Sequence, residues 1–295
     1  MTKWTGKSKG TPLGYQIFIF FIKKIGVKSA YFILYFVAFY YLIFSKEGRE
    51  SGMYYFNKRQ GFSKIKSLFK VYQNNVVFGK TIIDKYAIHL GQRDQFTYEF
   101  DGEEILLDLL KEKKGGILIS AHVGNFEIAE YFLSGIDEFS QINLITTDAE
   151  HGAIKAQLDN ISAKSNIKFI IVKPDLSHIF EINNALSNNE LICFTGDRYF
   201  EGTKTLSANF LGKEASFPAG PFLLGSRLKV PVVFVYVMKD TDKHYHLYTR
   251  KADFKNRDAQ DLLYQYTKSV EWILSKYPMQ WFNYFDFWND KKRNT

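Results

Sequence analysis

The chain has 295 residues, 46% hydrophobic and 24% charged, which excludes a disordered chain and leaves room for two average domains or one large α/β domain. Its single cysteine, Cys193, excludes an internal disulfide and so any need for an oxidising compartment; in the apolar run Leu191–Phe194 it reads as a buried structural thiol. The net charge of +8 is lopsided: residues 1–75 hold 13 Lys/Arg against Glu47 and Glu50, a balance of +11, and the rest of the chain balances at −3.

That basic end is also the apolar, aromatic end. Residues 30–44 are uncharged and read Ala-Tyr-Phe-Ile-Leu-Tyr-Phe-Val-Ala-Phe-Tyr-Tyr-Leu-Ile-Phe, and an earlier run, Tyr15–Ile22, stops at Lys23 and Lys24. Nucleic-acid binders rarely set their basic charge around such a stretch, so an anionic membrane surface is the expected partner and nucleic acid is not. Fifteen helical residues reach roughly 22 Å, short of a ~30 Å hydrocarbon core. Two membrane geometries fit, a single tilted helix that snorkels Lys23, Lys24 and Lys28, or a pair of half-inserted helices; the supply of Tyr and Phe favours partial insertion. An ordinary buried hairpin is the third possibility. The apolar stretches lack a small-residue cleavage site, so no signal peptide is expected.

Residues 51–90 read as one or two basic helices carrying Lys58, Arg59, Lys64, Lys66 and Lys70. The pattern then changes to short apolar strands at 115–121, 142–147, 167–172, 191–195 and 230–236, with helical lengths between them at 125–134, 150–164, 177–188 and 218–228. An added strand follows at 244–250 and a closing helix at 259–276. Strand alternating with helix predicts an α/β fold with a mostly parallel central sheet flanked by helices. The expected organisation is a membrane-associated helical segment over 1–50 and one α/β domain over 51–295.

The first apolar strand runs into His122-Val-Gly-Asn-Phe-Glu127. Ligands of open α/β sheets gather at the carboxyl ends of strands, which is where this histidine falls. Gly124 permits a tight turn, Asn125 is a fitting helix N-cap, and Glu127 in the first helical turn is close enough to reach back to the His122 ring. A carboxylate on one ring nitrogen fixes the tautomer and leaves the other to accept a proton, so the pair reads as a general base with its orienting acid. The competing reading is a helix-capping Glu beside a satisfied His. No second histidine stands at ligand spacing from His122, and His244 with His246 reads as a plain strand pair, so no metal and no cofactor are expected.

His122-x4-Glu127 resembles the His-x4-Asp/Glu motif of the lysophospholipid acyltransferase superfamily, and His-Val-Gly-Asn-Phe-Glu after an amino-terminal membrane segment resembles its bacterial lipid A acyltransferase branch. A second block agrees: Gly196-Asp197-Arg198, then Phe210–Gly220, then Val230-Pro-Val232. The tail Pro278–Trp288 and the opening Trp4–Gly10 are similar to those of acyltransferases associated with aryl polyene and flexirubin-type pigment lipids, and differ from those of authentic lipid A enzymes. The resemblance implies transfer of a fatty acyl group from a thioester carrier to a hydroxyl of a membrane lipid or lipid-like acceptor. It implies His122 as base with Glu127 supporting the imidazolium, and Gly124 and Asn125 near the developing oxyanion. It further implies Asp197 anchoring a loop, Arg198 on an anionic group, and Pro218 and Gly220 leading into a helix that lines the substrate groove. The donor is expected to be acyl carrier protein rather than acyl-CoA, and the location the cytoplasmic face of a bacterial inner membrane. A glycerophospholipid acyltransferase, or an inactive lipid-binding protein of the same fold, are the alternatives.

Overall fold

The computed structural model describes residues 12–129, 141–146, 167–173, 175–199 and 202–288. The opening Trp4–Gly10, the predicted helix 150–164 and the second half of the predicted helix 125–134 lie outside the described residues.

All six strands read from the sequence are present. They are β2 (Gly116–Ser120), β3 (Ile142–Thr146), β4 (Lys168–Ile171), β5 (Leu191–Thr195), β8 (Val232–Lys239) and β9 (His244–Lys251). One strand of the sheet was not expected: β1 (Thr97–Asp101), a largely exposed edge whose Thr-Tyr-Glu-Phe-Asp carries no apolar run. The seven strands form one sheet in the order β1-β9-β8-β2-β5-β3-β4. Strands β8, β2, β5, β3 and β4 run parallel, β9 runs antiparallel to β8, and β1 runs parallel to β9. The expected mostly parallel α/β sheet is therefore the observed one. A separate hairpin, β6 (Thr205–Phe210) and β7 (Lys213–Pro218), also not expected, runs up to Pro218. Its two-residue turn, Leu211-Gly212, has both φ angles positive, the geometry that matches strand twist in tight hairpins.

Alternation along β2 shows why its sequence is apolar throughout. Ile117 and Ile119 face one core with Phe222 of α7 (Ala219–Arg227) and Leu262 and Tyr266 of α8 (Ala259–Lys276). Leu118 faces the other with Leu34, Ile83 and Leu109. A strand buried on both faces has no polar side to show. Helix α8 has the bounds read from the sequence, and Asp258 caps it by accepting from the amides of Gln260 and Asp261.

The amino-terminal segment is a set of helices: α1 (Pro12–Lys24), α2 (Val27–Phe44), α3 (Lys46–Tyr54) and α4 (Lys64–Ala87). Gly26, at φ 110°, breaks the path between α1 and α2. A single continuous helix through both apolar runs is thereby excluded, and the pair of helices is what remains. At 18 residues α2 is roughly 27 Å long and apolar enough to cross a membrane by length and composition. One stripe of it, Val27, Ala30, Tyr31, Leu34 and Ala38, is buried on the protein, while Phe32, Phe36, Phe39 and Tyr40 are exposed. Helix α4 receives that stripe closely because Gly79 lies beneath Leu34; a Cβ on Gly79 would meet Leu34 Cδ1 at 2.1 Å. The remaining helices are α5 (Glu103–Lys111) and α6 (His178–Ser187).

Candidate active site

Adjacent strands β2 and β5 end level, with Ser120 opposite Thr195. Two residues past each end stand His122 and Asp197, and parallel neighbours lie ~5 Å apart. The two side chains therefore meet: His122 Nδ1 is 2.7 Å from Asp197 Oδ1. The same carboxylate accepts from the His122 amide, at 3.1 and 3.0 Å, and from the indole N–H of Trp281 at 3.2 Å. Asp197 is buried and His122 is 23% exposed at its side chain. Burial by itself would raise the Asp197 carboxyl, but the His122 charge, the bonds from His122 and the Arg198 charge outweigh it and hold the carboxyl at about 2. It is ionised at neutral pH and can only accept, so Nδ1 carries the hydrogen and Nε2 holds the basic lone pair.

The carboxylate on His122 Nδ1 is thus Asp197, which the sequence assigned only to anchoring a loop. Glu127 sits on the single turn Phe126–Ile128, and its side chain lies outside the described residues. Asn125 precedes that turn without capping it. Its side-chain amide donates instead to Thr81 O at 2.9 Å and to the Tyr245 hydroxyl at 3.3 Å, pinning the loop to α4 and β9. The amides of Gly124 and Asn125 already donate to Gln280 O and Val237 O, at 2.9 and 2.7 Å, which does not suit the oxyanion role expected of them. Gly124 has φ +60° and no space for a side chain, since a Cβ there would meet Val237 O at 2.0 Å.

The carboxyl-terminal tail closes one side of the site. Val123 bridges Trp281 antiparallel, and the Phe282 amide donates to His122 O at 2.9 Å. Arg198 donates to Phe282 O at 2.8 Å, fastening the tail a second time. Trp281 and its neighbours escaped the sequence reading as site residues; the aromatic density of Trp281–Trp288 was the available signal. Pro218 and Gly220 open α7 at the end of the hairpin, away from this bonding network; Phe210 of the hairpin packs its ring 5.6 Å from Trp281.

Beneath the loop lies a buried polar cluster that no local sequence pattern announces. Lys239 Nζ and Asp84 Oδ2 are 2.5 Å apart at 4% and 0% exposure, and the hydroxyls of Tyr31 and Tyr245 both donate to Asp84. Burial pushes Asp84 up and Lys239 down, and each opposes that shift in the other. The cluster ties α2, α4 and the ends of β8 and β9 together directly under Asn125.

Elsewhere, Glu99, Asp240 and His244 each bring one ligand atom within 4.8 Å of the others on the outer sheet edge. Glu99 pairs with His246 at 3.1 Å, and Asp240 accepts from the Tyr277 hydroxyl at 2.6 Å, so both carboxylates already have neighbouring side chains as partners. Of the basic run before β2, Lys111 pairs with Asp108 and Lys114 with Glu112. Cys193 is buried in β5, as expected.

A strand-end histidine whose ring is held by a buried carboxylate is the arrangement of a general base. The profile of the bacterial lipid A biosynthesis acyltransferases matches residues 78–288. The chain belongs to that family. The match takes in β2, β5, the His122 loop and the tail through Trp288, and so His122, Asp197, Arg198 and Trp281. It supports an acyltransferase acting in lipid biosynthesis. With α2, it also points to membrane association. No curated protein matches the chain.

Proposed function

We propose that this acyltransferase moves a fatty acyl group from an acyl thioester to a hydroxyl of a membrane-held lipid, with His122 as the general base. The observation that carries the reading is the Nδ1 bond to ionised Asp197, which makes Nε2 the proton acceptor. Nε2 takes the hydroxyl proton as the oxygen attacks the thioester carbonyl. The tetrahedral intermediate then collapses, the C–S bond breaks, and the departing thiolate recovers the proton from the imidazolium. Asp197 stabilises the imidazolium while it exists, and Glu127 keeps its proposed part as a supporting carboxylate. Arg198 is assigned the anionic group of donor or acceptor in addition to its hold on the tail.

The acceptor is lipid A or an aryl polyene or flexirubin-type lipid, on the resemblance of the tail and the opening. The site would face the cytoplasmic side of an inner membrane. Acyl carrier protein is the favoured donor over acyl-CoA on the resemblance alone; the Lys111–Lys114 run, with Lys111 and Lys114 paired to Asp108 and Glu112, does not decide between them. The test is turnover by membranes holding the full chain, with one acyl chain on each carrier, in wild type and His122→Ala. A fall of about 100-fold or more in the folded variant is expected. Near-normal turnover in that variant would remove the mechanism, and equal, salt-insensitive rates with acyl-CoA would overturn the donor choice alone.

A further inference from the structure

We propose that the amino-terminal half of α4 is a second lipid-contacting element, lying in the anionic headgroup layer beside α2; this rests on the membrane association proposed above. Ile65 and Phe69 are 86% and 60% exposed, and Leu68 is exposed with them. With Tyr72 they fall at i, i+3, i+4 and i+7, one stripe along the helix. Further along α4 the same face carries Val76, Gly79 and Ile83, buried or pressed against α2. The stripe is therefore a packing surface whose second half is covered and whose first half is bare.

Its direction places it next to the other exposed apolar face. Tyr31 bonds Asp84, Leu34 lies on Gly79, and the Tyr72 hydroxyl donates to Tyr35 O at 3.3 Å, so α2 and α4 run antiparallel. The exposed half of α4 then travels alongside the exposed carboxyl-terminal half of α2, where Phe36, Phe39 and Phe44 point away from the protein. The two bare faces make one continuous apolar footprint.

Charge selects the occupant. Between Ser51 and Ile83 the sequence has six Lys/Arg and no Asp or Glu, and Lys58, Lys64 and Lys66 are exposed. A second copy of the chain would bring the same positive charge to the contact and be repelled, whereas anionic headgroups are attracted. A basic helix with an apolar stripe lies in the interface plane. Because α4 is bound to α2 and to the sheet, this geometry also keeps α2 shallow and half-inserted.

The experiment uses the full chain with its one native cysteine, which is buried, and an environment-sensitive dye on a cysteine introduced by Phe69→Cys or by Phe36→Cys. Each protein is bound to phosphatidylcholine vesicles with or without phosphatidylglycerol. Both dyes should shift to the blue and be quenched by lipid-borne quenchers. Adding Lys64→Glu and Lys66→Glu should weaken vesicle binding on the order of tenfold or more with anionic lipid only. A shift at position 36 without one at 69 would overturn the proposal and leave α2 as anchor. No shift at either would overturn both. A shift at 69 that needs no vesicles and grows with protein concentration would identify a self-association face and also overturn it.

Discussion

Asp197 reaches the His122 ring at 2.7 Å across 75 residues of chain because each stands two positions beyond the end of its strand, and the two strands end level. The contact is set by sheet register, so it is rigid and survives small changes in the loop between. The carboxylate also grips the His122 amide, which fixes the backbone that aims the ring.

Asp197→Asn is expected to keep the fold and cost roughly 100-fold or more in turnover, because a carboxamide no longer enforces the Nδ1–H tautomer or stabilises the imidazolium. Glu127→Gln should cost less than His122→Ala. Steady-state rates on the three purified variants check the order; Asp197→Asn within a few-fold of wild type would remove Asp197 from the mechanism.

Trp281→Phe keeps a ring in the aromatic tail but deletes the N–H that reaches Asp197. A net loss of about 2 kcal/mol in stability is expected, the value of one hydrogen bond to a buried charged acceptor. Activity should fall by roughly tenfold or less if that bond only steadies the carboxylate. Urea unfolding beside turnover separates the two effects.

The Asp84–Lys239 pair should behave as a buried ion pair. Lys239→Met strands a buried carboxylate and should cost about 3–5 kcal/mol, whereas Lys239→Met with Asp84→Asn should recover a large part of that loss. Thermal or urea midpoints of the single and double variants decide it. Equal losses in both would mean that the tyrosine hydroxyls, not the ion pair, hold this corner.

Acid stability follows from Asp197. Its carboxyl is lowered from 3.8 to about 2, so its contribution is present above the ordinary value and disappears as pH falls through the folded one. That contribution is about 2 kcal/mol, and the stability gap between wild type and Asp197→Asn should shrink from about pH 4 to about pH 2. A gap unchanged over that range would show that the carboxylate is not the group titrating.

Gly79→Leu should loosen α2 from α4, since even a Cβ would collide with Leu34. Faster protease cleavage near Gly26 with little change in the unfolding of the sheet is the expected result.

The five apolar strands, the added strand after them, helix α8 and the mostly parallel sheet were legible in the sequence because period and length reflect burial, a local property of each segment. His122 was legible because a polar residue directly after such a strand falls where ligands bind. The edge strand β1 was not, since an exposed edge carries no apolar pattern, and hairpin β6–β7 was hidden behind its own turn residues. The basic, aromatic amino terminus pointed to a lipid surface and left one helix or two open, and Gly26 decided that they are two. What the tertiary structure alone decided is who meets whom. The Asp197–His122 bond, the Trp281 tail laid across the motif, and the Asp84–Lys239 cluster beneath Asn125 all join residues far apart in the chain. Strand order and register set such pairings, and neither is written in the neighbourhood of any one residue.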